Sequence, residues 1–341
     1  MFGRLLQREK PAVLPRRRVE SDVPVVRLGV LGAGRIAHEH LKVLAGFDEV
    51  DIAGICNRGG TDLTPMAQTY GIGATFSNWR EMLDALELDA VLVLVSHFQT
   101  VEVTAECLRR GIPCLIEKPA GFTARETEAL ADVADECGVL NMVAVNRRYY
   151  SVINNGLNAV RLHGPVTGVM IEAPEGIRQI RATSRHSADL IDRWLVANTI
   201  HALDLFRHVG GDVAEMHSFT SALHEPLADS FSTTMRFAGG ALGTFVAHWN
   251  AAPGWRMSIY GDGVQADFAP FEKGELRYSD RRVQKIPVAP EDTQYKPGFY
   301  GQMRAFIDAV VYDEPLAPPA SDLRDAAKTM RFIEQIGGLD G

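Results

Sequence analysis

The feature that most constrains this chain is a glycine-rich turn set between a mostly apolar run and an amphipathic one. Residues 25–30 read as a buried strand, Gly32, Ala33, Gly34, Arg35, Ile36 and Ala37 follow directly, and residues 36–46 carry helical spacing. A lone G-x-G-x-x-A is a weak signal, because glycines are common; between a strand and a helix it acquires a mechanical meaning. Gly32 permits the tight turn, Gly34 lets the backbone approach a pyrophosphate, and Ala37 keeps helix and strand close. The N-terminus of the helix then favours phosphate charge. The turn thus predicts a nicotinamide dinucleotide site made of Gly32, Ala33, Gly34, Arg35 and Ile36; the alternative is a plain strand–helix turn.

Which dinucleotide is decided at the end of the second strand, residues 50–56. A carboxylate there would hold the ribose hydroxyls of NAD. The sequence instead has Asn57 and Arg58. Nothing there repels a 2′-phosphate, and a guanidinium can pair with one. NADP is therefore favoured over NAD, although Arg58 could equally stack on adenine, which either cofactor allows.

The rest of the chain supplies a scaffold for such a site. Its 341 residues suggest two domains of roughly 150 residues each. Apolar runs at 90–95, 113–116 and 140–145 alternate with helical stretches at 64–70, 79–86, 101–110 and 124–137. That alternation predicts a doubly wound parallel sheet, a Rossmann domain, over residues 25–145. After residue 146 the rhythm changes to longer alternating strands at 166–171, 216–221, 230–237, 241–249 and 256–260, with turns at Gly239-Gly240 and Asp262-Gly263. The expected second domain, 146–341, is a large, mostly antiparallel sheet with helices at 200–209, 299–312 and 322–336 as candidate covers. The fold class is α/β.

Residues 1–24 differ in character, with six basic residues and three prolines; they read as a loosely docked arm or as one that packs on a neighbouring subunit. The arm lacks the apolar stretch of a secretory signal. No apolar run reaches 18 residues, so no membrane span is expected. The net charge of −8 gives no basic footprint for nucleic acid. Four cysteines without a C-x-x-C pair suit a reducing cytoplasm.

The chemistry-bearing motif is Glu117-Lys118-Pro119, at the end of the strand 113–116. Ligands of parallel sheets meet the carboxyl ends of the strands, so Lys118 is aimed at the cofactor crevice with Glu117 beside it. Pro119 restricts Lys118 to extended backbone and gives the bond before it a real chance of being cis. Downstream, Asn198, His201, Asp204 or Leu205, and His208 share one helical stripe, with Asn198 as N-cap and His201 in the first turn. No metal site is expected: His201 and His208 are too far apart on a helix to chelate, and His38 and His40 lie on opposite sides of theirs.

Taken together, GAGRIAHEH at 32–40, LDAVLVLVS at 88–96, EKPA at 117–120, NRRY at 146–149 and IHALDL at 200–205, with residues 299–310, resemble the Gfo/Idh/MocA family of glucose–fructose oxidoreductases, inositol dehydrogenases and sugar dehydrogenases. The resemblance spans nearly all of residues 25–337. It implies that Lys118 contacts the reacting hydroxyl near the nicotinamide and that His201 exchanges a proton with the reacting oxygen. Chemistry agrees: oxidising a secondary alcohol needs a hydride acceptor and a base, imidazole is suited to that task, and an ammonium stabilises alkoxide character. The alternative for His201 is a buried helical histidine bonded to Asp204.

Two departures from the family pattern matter. The usual aspartate four residues before the histidine is here Ala197, with Asn198 beside it and Asp189 and Asp192 upstream. The usual T-P-x-x-x-H after the strand at 90–95 is here Val95-Ser96-His97-Phe98-Gln99-Thr100, so the contacts around ribose and nicotinamide change and His97 and Phe98 could substitute there, with Ser96 and His97 among the expected cofactor-binding residues. The resemblance also makes Asn146, Arg147, Arg148 and Tyr149 cleft residues. Arg147 or Arg148 would hold a substrate carboxylate or phosphate, or else bridge the domains. Tyr149, Asn198 and Asp204 complete the expected substrate contacts, and Trp255 is either a pocket wall or core.

The activity so implied is hydride transfer between the nicotinamide and a hydroxyl or keto group of a sugar, inositol or nucleotide-linked sugar. Two other classes stay open: a dinucleotide-binding regulator that has lost turnover, to which Ala197 points, and a reductase of another unsaturated bond such as C=N. An exposed face of the second sheet would make the chain a homodimer or homotetramer.

Overall fold

In the computed structural model the described residues are 24–183 and 186–338, so all of the basic arm but Pro24 lies outside them. The first sheet has six parallel strands in the order β3-β2-β1-β4-β5-β6: β1 (Val26–Leu31), β2 (Val50–Cys56), β3 (Thr75–Phe76), β4 (Ala90–Val93), β5 (Cys114–Glu117) and β6 (Asn141–Ala144). Every residue of β4 is buried, as expected of a strand covered on both faces. The chain leaves β1 in one direction and returns to β4 in the other, so a crevice opens where the ends of these two neighbours diverge. That crevice receives the glycine turn.

One face of this sheet is covered by the helix Arg35–Leu44 and, unexpectedly, by the helix Phe299–Tyr312. The sequence offered the latter as a cover for the second sheet. Its buried stripe of Phe299, Met303, Phe306 and Ile307 instead packs with Leu41 and Leu44 in the core of the first. The other face carries His97–Arg109 and Ala124–Cys137, whose Val103, Leu108, Leu130 and Ala131 meet Val91, Val93 and Ile116. The Thr123 hydroxyl accepts from Glu126 N–H, and Glu126 answers with its carboxylate, a capping box that fixes the start of the second of these helices.

The second sheet has eight strands in the order β14-β13-β12-β11-β7-β10-β9-β8: β7 (Gly168–Glu172), β8 (Val213–Ser221), β9 (Ser230–Phe237), β10 (Leu242–His248), β11 (Arg256–Tyr260), β12 (Val264–Phe268), β13 (Gly274–Tyr278) and β14 (Val283–Lys285). All neighbours are antiparallel except β7 and β10. Alternation sends Phe231, Met235, Phe237 and Phe245 inward, against Leu203, Phe206 and Val209 of the helix Ile200–Gly210.

The last helix, Leu323–Gly337, joins the two cores. Leu323 and Ala326 belong to the first, and Met330, Phe332, Ile333 and Ile336 to the second. At the same junction Arg148 donates from Nε to Asp204 Oδ2 at 2.7 Å and from Nη2 to Asp204 Oδ1 at 2.5 Å, and also meets Asp325 at 2.8 Å. Thr329 donates to Asp204 at 3.1 Å, and Arg207 pairs with Asp325 and with Asp212. These bonds tie the 3-10 turn Asn146–Tyr149, the Ile200–Gly210 helix and the last helix into one block.

Candidate active site

The glycine turn sits at the mouth of the crevice. Gly32 has φ +114°, and a Cβ there would lie 2.3 Å from the Leu94 carbonyl at the end of β4, so only glycine fits. A Cβ on Gly34 would meet nothing within 4 Å, which leaves open space before the Arg35–Leu44 helix. No acidic residue occupies the first turn of that helix, and no side chain caps it. Free N–H groups, positive helix end and room beside Gly34 are what a pyrophosphate requires. The residues present fit a dinucleotide.

Two cavities continue from this point. One, of about 830 Å³, is lined by Gly32, Ala33, Gly34, Asn57, Arg58, Ser96 and the segment Ser77 to Arg80. Asn57 Oδ1 accepts from Ala33 N–H at 3.4 Å, which braces the glycine turn, while Arg58 is exposed at the rim. Arg80 lies 4.0 Å over the Trp79 ring and bonds Glu102, a wall of this half that no motif announced. The other, of about 650 Å³, is lined by Arg35, Lys118, Asn146, Trp194, Asn198, His201 and Lys296 among others. Ile36, His97 and Glu117 line both, so the two are halves of one cleft.

The second half holds the two residues singled out for chemistry. Lys118 Nζ donates to the Ala197 carbonyl at 2.7 Å. Burial pushes its pKa down to about 8; Arg147 and Lys296 add to the fall, and Glu117 opposes it. His201 stands one turn beyond Ala197, its Nδ1 shut off from solvent without a hydrogen bond. Burial, then the charges of Lys118, Arg147 and Lys296, hold His201 well below the ordinary 6.5, so it is neutral at neutral pH. A neutral imidazole and an ammonium at one cleft wall can take up a proton and stabilise the oxygen that loses it.

The charge beside them is arranged in part by two residues for which the sequence suggested no role in the site, His40 and Lys296. His40 is buried and donates to Glu117 Oε2 at 3.3 Å. Burial alone would raise Glu117, but His40 and the charge of Lys118 hold it below the ordinary value and keep it a carboxylate. His97 is pushed down to about 4 by burial and by Lys118, and is neutral between the two halves of the cleft. Lys296 comes from the loop before the Phe299–Tyr312 helix. The Lys118–Pro119 bond is cis.

Several expected substrate contacts are placed differently. Asp204 is not a cleft residue: the Arg148 and Thr329 bonds take up its carboxylate, and its side chain is 3% exposed. It is not bonded to His201 either. Asn198 lines the cleft but is no N-cap, because Leu195–Thr199 forms a π-helical turn that runs straight into the helix. Its Nδ2 donates instead to Glu175 Oε1 at 2.6 Å, a buried carboxylate beyond the end of β7. Tyr149 packs its ring on Gly301, and its hydroxyl is buried without a hydrogen bond. Arg148 is a bridge between elements, whereas Arg147 lies 4.2 Å over the Trp255 ring. Asp192 faces Arg181 at 3.0 Å and Asp189 is exposed; neither lines the cleft.

Residues 26–145 match the family model for the Gfo/Idh/MocA oxidoreductases with an NAD-binding Rossmann fold, and residues 164–265 match the C-terminal domain of the same family. Over 123 residues the chain is 34% identical to the rhizopine catabolism protein MocA of Rhizobium meliloti, covering 36% of this chain and 38% of that protein. The myo-inositol 2-dehydrogenase of Thermotoga maritima is 23% identical over 325 residues, or 87% of this chain and 92% of that one. Levoglucosan dehydrogenase, solved with NADH and L-sorbose, shares the fold with a TM-score of 0.80 at 16% identity, covering 92% of this chain and 96% of that chain.

Proposed function

The chain belongs to the Gfo/Idh/MocA oxidoreductase family, and on that premise we propose that it interconverts a secondary alcohol and a ketone on a sugar, inositol or nucleotide-linked sugar, using NADP in preference to NAD. The observation that carries this reading is the convergence of Lys118 and His201 on one wall of the cleft that begins at the glycine turn. Relatives named as a myo-inositol 2-dehydrogenase and a levoglucosan dehydrogenase support the substrate class.

A bound nicotinamide supplies the hydride acceptor or donor. The chain supplies the rest. Gly32, Ala33, Gly34, Arg35 and Ile36 would hold the diphosphate end, and Ser96, His97 and Glu117, which line the cleft, would hold the nicotinamide end. His201, neutral, takes the hydroxyl proton in the oxidising direction and returns it in the other. Lys118, pinned by the Ala197 carbonyl, steadies the negative charge on the reacting oxygen. Ala197 contributes its backbone oxygen where the family pattern has a carboxylate side chain. Arg58 lines the first cavity, with no carboxylate at the end of β2, and would pair with a 2′-phosphate.

The test is to titrate the purified protein with NADP and NAD and then to follow reduced-nicotinamide absorbance over neutral and acidic sugars and inositols. Turnover that needs both Lys118 and His201 is expected. Tight cofactor binding with no turnover on any of these, nor on imines or enones, would favour the regulatory reading to which Ala197 points. Turnover of imines or enones alone would make the chain a reductase of another bond.

A further inference from the structure

Ala197 stands where the family pattern has an aspartate, so the cleft wall that carries His201 lacks a polar side chain at that point. Its carbonyl is taken by Lys118. Its neighbour Asn198 supplies a polar side chain instead. Trp194, Asn198 and His201 follow one another at spacings of four and three, and all line the same half of the cleft. They form one face of the run from the π-helical turn Leu195–Thr199 into the helix Ile200–Gly210.

The Asn198 amide is not free to turn. Its Nδ2 donates to Glu175 Oε1 at 2.6 Å, and Glu175 is buried outside the cleft lining. The segment that carries Glu175 is fixed in its turn. Ala173 N–H donates to the Val246 carbonyl at 2.8 Å, Glu175 N–H to that of His248 at 3.0 Å, and Ile177 N–H to that of Trp249 at 2.7 Å. These bonds extend the pairing of β7 with β10 past the end of β7. No cation lies within 4.0 Å of the Glu175 carboxylate among the described residues. The groups that face it are donors: burial raises its pKa, and the Asn198 amide, the indole N–H groups of Trp194 and Trp255, and the charge of Arg147 oppose the rise. A carboxylate only accepts, so it selects the NH2 end of the amide and turns Oδ1 the other way.

We propose that Asn198 receives, through Oδ1, a substrate hydroxyl on the carbon next to the reacting one, and that Glu175 is the positioning residue that orients it. The assignment deepens the dehydrogenase reading above and rests on it. Side chains three positions apart on a helix are neighbours, so a ring hydroxyl at His201 brings the hydroxyl of the adjoining carbon to the amide. The site is thereby selective for a vicinal diol over an isolated alcohol, because a compound without the second hydroxyl leaves the Asn198 oxygen without a donor. Asn198 carries no charge and holds the same hydroxyl throughout the reaction, so its contribution belongs to KM rather than kcat.

The experiment follows reduced-nicotinamide absorbance on myo-inositol, glucose, galactose and gluconate, each beside its monodeoxy analogues. For the compound turned over, one deoxy analogue is expected to show a KM about tenfold higher with kcat nearly the same. Asn198→Ala should erase that margin between parent and analogue. Glu175→Gln lets the amide turn over and should narrow it. Asn198→Asp sets two carboxylates face to face and should narrow it further, whereas Glu175→Gln combined with Asn198→Asp exchanges amide and carboxylate and should restore it. Should the Glu175 variants not fold, Asn198→Ala and the deoxy analogues decide alone. Equal KM for parent and every analogue, a margin that survives Asn198→Ala, or a double exchange no better than Asn198→Asp would each overturn the proposal and leave the dehydrogenase reading standing. Turnover of none of these compounds would overturn both.

Discussion

At the scale of single residues, the pair Lys118 and His201 sets the expected pH behaviour. His201 is already neutral well below 6.5, so the rate of alcohol oxidation should show no acid limb near that value. Lys118 loses its proton near 8, so kcat/KM should fall as pH rises through about that value. Lys118→Arg keeps the charge at all accessible pH and should move this limb upward; an unmoved limb would detach Lys118 from it. Lys118→Met should slow turnover roughly 100- to 1000-fold, and His201→Ala roughly 100- to 10,000-fold, both without loss of cofactor binding by fluorescence titration. Arg58→Ala should raise the Kd for NADP and leave that for NAD nearly unchanged; an equal effect on both would return Arg58 to adenine stacking. Lys118 was legible in the sequence because a strand end followed by proline fixes where the side chain goes. His40 was not, because its partner Glu117 is 77 positions away and helical spacing says nothing about what a helix faces. Asp204 was misplaced for the same reason: three positions from His201 it shares a stripe, but it lies deep enough to find Arg148 rather than the cleft.

At the scale of elements, the placement of His201 depends on the ion cluster behind its helix. Removing one partner of a buried pair leaves a charge uncompensated, so Asp204→Asn should cost about 3–5 kcal/mol of stability, read from urea midpoints. A cost below 1 kcal/mol would mean the cluster does not hold the block. Asp325 gives the cluster a pH signature. Burial alone would raise its pKa, but the hydrogen bond from Arg207 and the charges of Arg148 and Arg207 hold it well below the ordinary 3.8. Its stabilisation is thus fully present above about pH 4 and is lost as pH falls through the lowered value. Asp325→Asn should be less stable at pH 7 and lose less between pH 4 and pH 2 than the parent. The alternation of strand and helix was readable because burial on both faces leaves uninterrupted apolar runs. The destination of Phe299–Tyr312 was not, since an apolar stripe of Phe299, Met303 and Phe306 suits either sheet and chain order suggested the nearer one.

At the scale of the whole molecule, one large surface lacks a cover. Helices close the inner face of the eight-stranded sheet, but the outer face of β8, β9 and β10 presents Phe219, 75% exposed, and Leu242, 59% exposed, among Ser232, Thr234 and Thr244. Among the described residues no helix lies over it. This face mixes hydroxyl and apolar side chains with the Glu215–Arg236 ion pair beside Leu242, and we propose a second copy of the chain, related by a twofold axis, as its cover. Such pairing would leave the active-site cleft free, because the cleft is built at the strand ends of the first sheet and the helices on the inner face of the second. Light scattering should give twice or four times 37.4 kDa. Phe219→Arg with Leu242→Arg should shift the mass towards the single chain while cofactor affinity holds, since neither residue lines the cleft. A wild-type mass of one chain would end the proposal, and an unchanged oligomer in the double variant would move the interface to another surface.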